Sequence, residues 1–85
     1  MSREEIKEKL IVLCAEIFQG SGIDRDMIKH VDFIDDLGMD SLTFITLILE
    51  IETCFNITVP DEKLLMENFK RIDNIILIIN KQLEK

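Results

Sequence analysis

Three segments of this 85-residue chain carry apolar residues at spacings of three and four, the repeat of a helix that buries one face. No segment alternates apolar and polar residues strongly enough to compete as a strand. We therefore expect an all-α fold: a four-helix bundle with a short third helix and a long loop between the first two helices. The whole chain, 1–85, is expected to form a single domain. Its helices are expected over about residues 3–18, 41–55, 61–67 and 71–84.

The first and last helices are predicted by their caps and stripes. Ser2 and Glu5 have the spacing of a capping box, and Gly20 to Gly22 marks where the first helix ends. The stripe of the first helix consists of Ile6, Leu10, Leu13 and Ile17, with Cys14 on its flank. The stripe of the last helix consists of Ile72, Ile75, Ile76, Ile79 and Leu83. These faces should supply most of the core.

The charge balance narrows the choice of partners. The formal net charge is −7, which argues against nucleic acid and anionic membrane surfaces and favours basic protein surfaces. The longest apolar run, Ile75 to Ile79, is too short to span a bilayer, and the first residues do not resemble a signal peptide. Cys14 and Cys54 do not have the spacing of a metal site. We expect a cytoplasmic monomer without a metal and without membrane insertion.

The segment Asp35 to Leu42 delivers a serine to the start of the second helix. Asp40 is suited to the N-cap, because its carboxylate can accept hydrogen bonds from N–H groups that the helix leaves unpaired. Ser41 then lies in the first turn, where the same N–H groups and the helix dipole favour a phosphodiester. Gly38 gives the preceding backbone freedom. No base stands beside Ser41 in the sequence, so the pattern describes an exposed hydroxyl without its own activating group.

Two motifs resemble the acyl carrier protein family, which includes the peptidyl carriers of nonribosomal synthesis. They are Asp-Asp-Leu-Gly-Met-Asp-Ser-Leu at 35–42 and Phe-Asn-Ile-Thr-Val-Pro-Asp-Glu at 55–62, and the likeness extends over essentially the whole chain. The resemblance implies a bundle of acyl-carrier type without catalytic residues. It also implies that Ser41 is esterified by 4′-phosphopantetheine, donated by coenzyme A, whose thiol holds acyl or aminoacyl cargo as a thioester. Asp40 would position the serine, and Leu42 would contact the phosphopantetheinyl transferase.

The helix over 41–55 has two apolar stripes. The broader stripe, which should face the core, consists of Phe44, Leu47, Ile48, Ile51 and Phe55. The second stripe, Leu42, Ile45 and Leu49, begins beside Ser41. It could pack under the long loop, or it could dock enzymes that act on the cargo. Leu42 and Leu49 match family positions that commonly meet partners, and with Ile45 and Glu50 they are the predicted docking residues.

Members of the family bury acyl chains between the second and third helices, and four residues match positions around that cavity. They are Phe44, Ile48, Leu64 and Phe69. Because Phe44, Leu64 and Phe69 are bulky, we expect little room for a long acyl chain. Core filling alone would account for these residues equally well.

The chain departs from the fatty-acid type of carrier in its second helix. The residues that stand where that type has several acidic or small residues are Thr43, Phe44, Thr46, Thr53 and Cys54, and only Glu50 and Glu52 remain charged. Electrostatic steering should therefore be weaker and apolar contact more important. This favours a carrier for a dedicated pathway, such as polyketide, nonribosomal peptide or related aminoacyl transfer. A fatty-acid-synthesis carrier or a D-alanyl carrier within the same family is the alternative.

Two other functions stay open at the level of sequence. A helical adaptor could use Leu42, Ile45 and Leu49 for binding, with Ser41 unmodified. A hydrolase could pair Ser41 with His30, the single histidine. The acids of the long loop, Asp24, Asp26, Asp32, Asp35 and Asp36, lack the spacing of a calcium loop. They are interpreted as a solvated surface, with adventitious binding of a divalent ion as the alternative. The loop should be anchored by its apolar residues, Ile23, Met27, Ile28, Val31, Phe33, Ile34 and Leu37.

Overall fold

The computed structural model describes residues 1–84 as helices and turns joined by loops, with no strand among them. The α-helices are α1, Arg3–Ile17; α2, Arg25–Ile28; α3, Ser41–Phe55; and α4, Ile72–Leu83. Short 3-10 turns cover Gln19–Ser21, Asp61–Lys63 and Met66–Phe69. The all-α prediction is confirmed: three long helices and a short helical segment before α4 form the bundle, with a long loop between α1 and α3.

The helix α1 starts at a complete capping box. The Glu5 N–H donates to Ser2 Oγ at 3.2 Å, and the Ser2 N–H donates to Glu5 Oε1 at 3.1 Å. Ile6, Leu10 and Cys14 are completely buried at helical spacing, so this face of α1 lies in the core. The helix packs against both α3 and α4 and therefore forms the centre of the bundle.

The third helix expected over 61–67 is instead a pair of 3-10 turns. Pro60 starts the first turn with extended backbone, at φ −60° and ψ 144°. Leu64 and Leu65 then leave the helical region, with ψ values of 57° and 133°, so the two turns do not merge into one α-helix. The segment is too short to be stable by itself, and its shape follows from packing, with Phe69 completely buried.

The core joins the three long helices to the loop between α1 and α3. Leu47 and Ile51 of α3 belong to the same buried cluster as the isoleucines of α4, and Ile28 and Phe33 anchor the loop in that cluster. Met27, expected to be an anchor, is 50% exposed. The remaining expected anchors are partly buried against the core: Ile23, Val31, Ile34 and Leu37.

The length and composition of the helices determine whether one of them could cross a membrane. Within residues 1–84, no helix combines the length and the apolar character that crossing a bilayer requires.

Candidate functional site

Ser41 is the first residue of α3 and is exposed to solvent. Asp40 occupies the N-cap with extended backbone, and its Oδ1 accepts a 2.8 Å hydrogen bond from the Thr43 N–H. This hydrogen bond, with a smaller contribution from the Thr43 side chain, lowers the pKa of the Asp40 carboxyl. The N–H groups of the first turn have no carbonyl acceptor within α3, and with the helix dipole they favour an anion at this end.

Asp32 shapes the loop that leads to Ser41. Its Oδ1 accepts hydrogen bonds from the N–H groups of Ile34, at 2.9 Å, and Asp35, at 2.8 Å. Its own N–H donates to Asp36 Oδ2 at 2.8 Å. The two hydrogen bonds that the Asp32 carboxylate accepts, foremost the one from the Asp35 N–H, lower the pKa of this carboxyl. Asp32 is 5% exposed, so its interpretation as part of a solvated acidic surface was wrong.

The last residues before Asp40 are held by backbone bonds and burial. The Met39 N–H donates to the Phe33 carbonyl at 2.8 Å, and both side chains are buried. Gly38 turns the chain between them with φ +64°, a conformation that any residue with a Cβ adopts at a cost. Ser41 is therefore presented from a loop whose end is fixed.

Sequence reasoning missed two of these positioning residues, Asp32 and Met39. An aspartate whose side chain accepts from the N–H groups two and three residues later is a recognisable turn pattern. The Asp32-Phe33-Ile34-Asp35 segment had that signal, but the run of acids obscured it. Met39 had no such signal in the sequence, because a single apolar residue in a loop is not part of a periodic pattern.

Leu42, Ile45 and Leu49 form one exposed strip on α3, which we call the apolar strip. Their side chains are 75%, 54% and 58% exposed, so the strip does not pack under the long loop. Glu50 is also exposed, but it lines a separate groove between α1 and α3. The structure therefore brings together three of the four predicted docking residues and places the fourth, Glu50, about 100° around the helix from Leu49.

The four residues predicted around an acyl cavity lie between α3 and the pair of 3-10 turns at residues 61–69, which we call the 3-10 segment. Ile48 and Phe69 are buried, whereas Phe44 and Leu64 are partly buried. The Phe44 and Phe69 rings have centroids 5.6 Å apart and contact each other at a tilt. The two rings occupy the space between these elements.

The hydrolase hypothesis requires Ser41 and His30 to lie together as a nucleophile and its base. Within residues 1–84, no hydrogen bond joins the side chains of Ser41 and His30, and the His30 carbonyl accepts from Arg71 Nη1 at 3.3 Å. In the same residues, no three potential metal ligands gather into a cluster.

This chain is similar in sequence to a known protein family and to several named proteins. A family model described as "Phosphopantetheine attachment site" matches residues 8–77, most of the chain. An acyl carrier protein of Chlorobium phaeobacteroides is 41% identical over 63 residues, covering 73% of this chain and 77% of the relative. An acyl carrier protein of Guillardia theta is 38% identical over 63 residues, covering 73% and 74%. One from Bdellovibrio bacteriovorus is 34% identical over 67 residues, covering 78% and 83%.

The fold and the family match define a helical carrier domain with a covalently attached prosthetic group, 4′-phosphopantetheine. Within that class, the chain belongs to the acyl carrier protein family. Acyl carrier proteins carry cargo and do not catalyse reactions, so neither a hydrolase nor an adaptor without a prosthetic group describes this chain. Membership implies interaction with a phosphopantetheinyl transferase and with acyl-processing enzymes.

The residues at the start of α3 suit such a group. Ser41 offers an exposed hydroxyl, and the first turn of α3 contains no acidic side chain to repel a phosphodiester. The carboxylate of the adjacent Asp40 accepts a hydrogen bond from the Thr43 N–H. When bound, the group supplies a thiol on a flexible arm.

Proposed function

We propose that this chain carries acyl or aminoacyl intermediates as thioesters on 4′-phosphopantetheine attached to Ser41. The matched region contains two serines, Ser21 and Ser41. Ser21 ends a 3-10 turn, whereas Ser41 begins a capped helix of 15 residues. This position of Ser41 is the observation on which the proposal rests, because only there does a helix end favour the phosphodiester.

Each residue near Ser41 has a separate role in this proposal. Asp40 caps the first turn of α3 and so helps to position the serine. Because no side chain within residues 1–84 forms a hydrogen bond with the Ser41 hydroxyl, we expect the transferase to activate it. Leu42, the most exposed large apolar residue, supplies a contact for the transferase beside the reacting atom. Coenzyme A donates the arm, which then raises the local concentration of the cargo at each partner enzyme.

The surface of α3 supports a dedicated pathway rather than general fatty-acid synthesis. The apolar strip is flanked by Thr46 and Thr53, so a partner would recognise it by apolar contact more than by charge. We propose polyketide, nonribosomal peptide or related aminoacyl transfer as the pathway class. Fatty-acid and D-alanyl carriage are the alternatives, and the whole chain is proposed to act as one cytoplasmic carrier domain.

Intact-mass spectrometry tests the attachment. The purified chain is incubated with coenzyme A and a promiscuous phosphopantetheinyl transferase, in parallel with Ser41→Ala and with Ser21→Ala as the matched control. We expect one phosphopantetheine on the parent and on Ser21→Ala, and none on Ser41→Ala. Modification of Ser41→Ala, or an unmodified parent under conditions that modify a known relative, would contradict the proposal.

The cargo requires a second measurement. The protein is isolated from its host with the thioester intact, and the mass of the released pantetheine arm identifies what it holds. An aminoacyl or polyketide-type acid supports a dedicated pathway. A series of saturated fatty acyl chains would contradict that assignment while leaving the attachment at Ser41 unaffected.

A further inference from the structure

An open groove of about 510 Å³ runs between α1 and α3, outside the site at Ser41. On α3 it is lined by Glu50 and Cys54, which lie one helical turn apart. Glu50 directly follows Leu49 and therefore lies about 100° around the helix from it. The groove and the apolar strip thus occupy different sides of α3, and one molecule could cover the groove without covering the strip.

The groove has an apolar floor and an acidic rim. Val12 is 37% exposed there, with Leu13 and the exposed Cys54 beside it. The carboxylates of Glu8 and Glu16 stand on α1, one turn before and one turn after Val12, and Glu50 stands on α3. Among the groove's lining residues in the described chain, Lys9 is the single cation.

We propose that this groove is a second docking surface, and that its occupant is an amphipathic helix of a partner protein with an apolar stripe flanked by Lys and Arg. The apolar stripe would cover Val12, and the basic flanks would meet the rim glutamates. The net charge of −7 attracts such a helix and repels an acidic one.

With two docking surfaces, one partner can bind the carrier at the groove while a second enzyme acts on the cargo. A partner bound at the groove leaves Ser41, Leu42 and the rest of the apolar strip accessible to a second enzyme. The inference concerns α1 and one side of α3, so it does not depend on where the arm is attached.

Cys54 provides a reporter inside the groove. Cys14, the other cysteine, is completely buried, and burial raises the pKa of its thiol to about 12, so it should not react in the folded protein. The 85-residue chain with its arm attached is treated with iodoacetamide, in the presence or absence of a peptide. Cleavage after Glu52 by a glutamyl endopeptidase separates Cys54 from Ser41, and mass spectrometry gives the rate at Cys54 alone.

The probe is a synthetic 18-residue helical peptide of Leu, Ala, Lys and Arg with one apolar stripe. The control peptide has the same sequence with Glu at every basic position. We expect saturating basic peptide to slow alkylation of Cys54 about fivefold or more, and the acidic peptide to have no effect. Equal protection by both peptides, or protection by neither, would overturn the proposal.

Charge reversal tests the rim. Glu8→Lys combined with Glu16→Lys should weaken binding of the basic peptide about tenfold, measured by fluorescence anisotropy. The control combines Glu62→Lys with Glu84→Lys, two exposed positions outside the groove that change the net charge equally. The control should bind within about twofold of the parent. Parent-like binding by the groove variant would show that the rim glutamates do not hold the peptide, and an equal loss in the control would show that only the overall charge matters. Either result would overturn the proposal.

A final variant separates the two surfaces. Leu42→Ala should bind the basic peptide as the parent does, because Leu42 lies outside the groove. Weakened binding by Leu42→Ala would place the peptide on the apolar strip and overturn the inference. Failure of Ser41 to accept the arm would overturn the proposed function but would leave the peptide result unaffected, so the two failures are distinguishable.

Discussion

The Phe33 N–H donates a 2.7 Å hydrogen bond to the Lys70 carbonyl, which joins the loop before Ser41 to the segment that enters α4. The Phe33 ring is buried against Phe18, with centroids 4.9 Å apart. Beside this bond, Lys70 Nζ lies 4.0 Å from Asp32 Oδ2. The loop is therefore fixed to two elements of the bundle a few residues before the serine, and Asp32 lies at the junction.

Asp32→Ala should destabilise the fold and disorder the approach to Ser41. The substitution leaves the N–H groups of Ile34 and Asp35 without their acceptor in a poorly hydrated position. We expect the Tm to fall by on the order of 5 °C, measured by circular dichroism. Asp32→Asn keeps an acceptor oxygen and should lose less.

The control for this substitution is Asp35→Ala. It removes the same charge from an exposed side chain that accepts no hydrogen bond within residues 1–84. A Tm change as large as that of Asp32→Ala would show that loop charge, and not the hydrogen bonds of Asp32, is responsible.

The capped start of α3 should make stability depend on pH. The Thr43 N–H lowers the pKa of Asp40 in the folded protein below its ordinary value of 3.8. A carboxyl whose folded pKa is depressed stabilises the fold fully above the unfolded pKa, and that contribution is lost as the pH falls through the folded pKa. Asp40→Asn should therefore show a smaller fall in Tm than the parent when the pH is lowered from about 5 to about 2.5. An identical fall in both proteins would contradict this role.

The parts of the site that the sequence predicts are those defined by local spacing. Asp40 and Ser41 are adjacent, the cap reaches only to Thr43, and the helical stripes repeat every three or four residues. The contact of Asp32 with Lys70 joins residues far apart in the chain, and no periodic pattern marks it. The segment at 61–67 is likewise too short for a repeat, so its 3-10 geometry is set by the packing of Leu64 and Phe69 and not by propensity.

The apolar strip should matter for recognition and not for folding. Leu42→Ala removes a side chain that is 75% exposed, so the Tm should stay within about 2 °C of the parent. Transfer of the arm to Ser41 should become about tenfold less efficient, since an apolar anchor at the contact is lost. The measurement is kcat/KM of a phosphopantetheinyl transferase with each carrier as substrate. Leu77→Ala, which truncates a 52% exposed leucine on α4, is the matched control and should be modified at the parental rate.

The two cysteines should differ sharply in reactivity. Cys54 is exposed on α3, whereas Cys14 is buried with its pKa raised to about 12. The folded chain without its phosphopantetheine arm is treated with a chromogenic thiol reagent at pH 8. One thiol should react quickly, and the second should react only in denaturant. Cys54→Ser should abolish the fast phase. A fast phase that persists in that variant would mean that α1 opens readily from the core.

Phe44 should decide whether the carrier can shelter an acyl chain. Its ring contacts Phe69 in the space between α3 and the 3-10 segment, so Phe44→Ala should leave a cavity lined by Ile48, Leu64 and Phe69. Because Phe44 is only partly buried, we expect a loss of about 2 kcal/mol in the free energy of unfolding, measured with urea. An octanoyl chain on the arm should then raise the Tm of Phe44→Ala relative to an acetyl group, because apolar atoms refill an apolar cavity. The parent should show no such difference, since the two rings already fill the space. Equal stabilisation of the parent by octanoyl would mean that the rings separate to admit the chain, and that the bulk of Phe44 does not limit the length of the cargo.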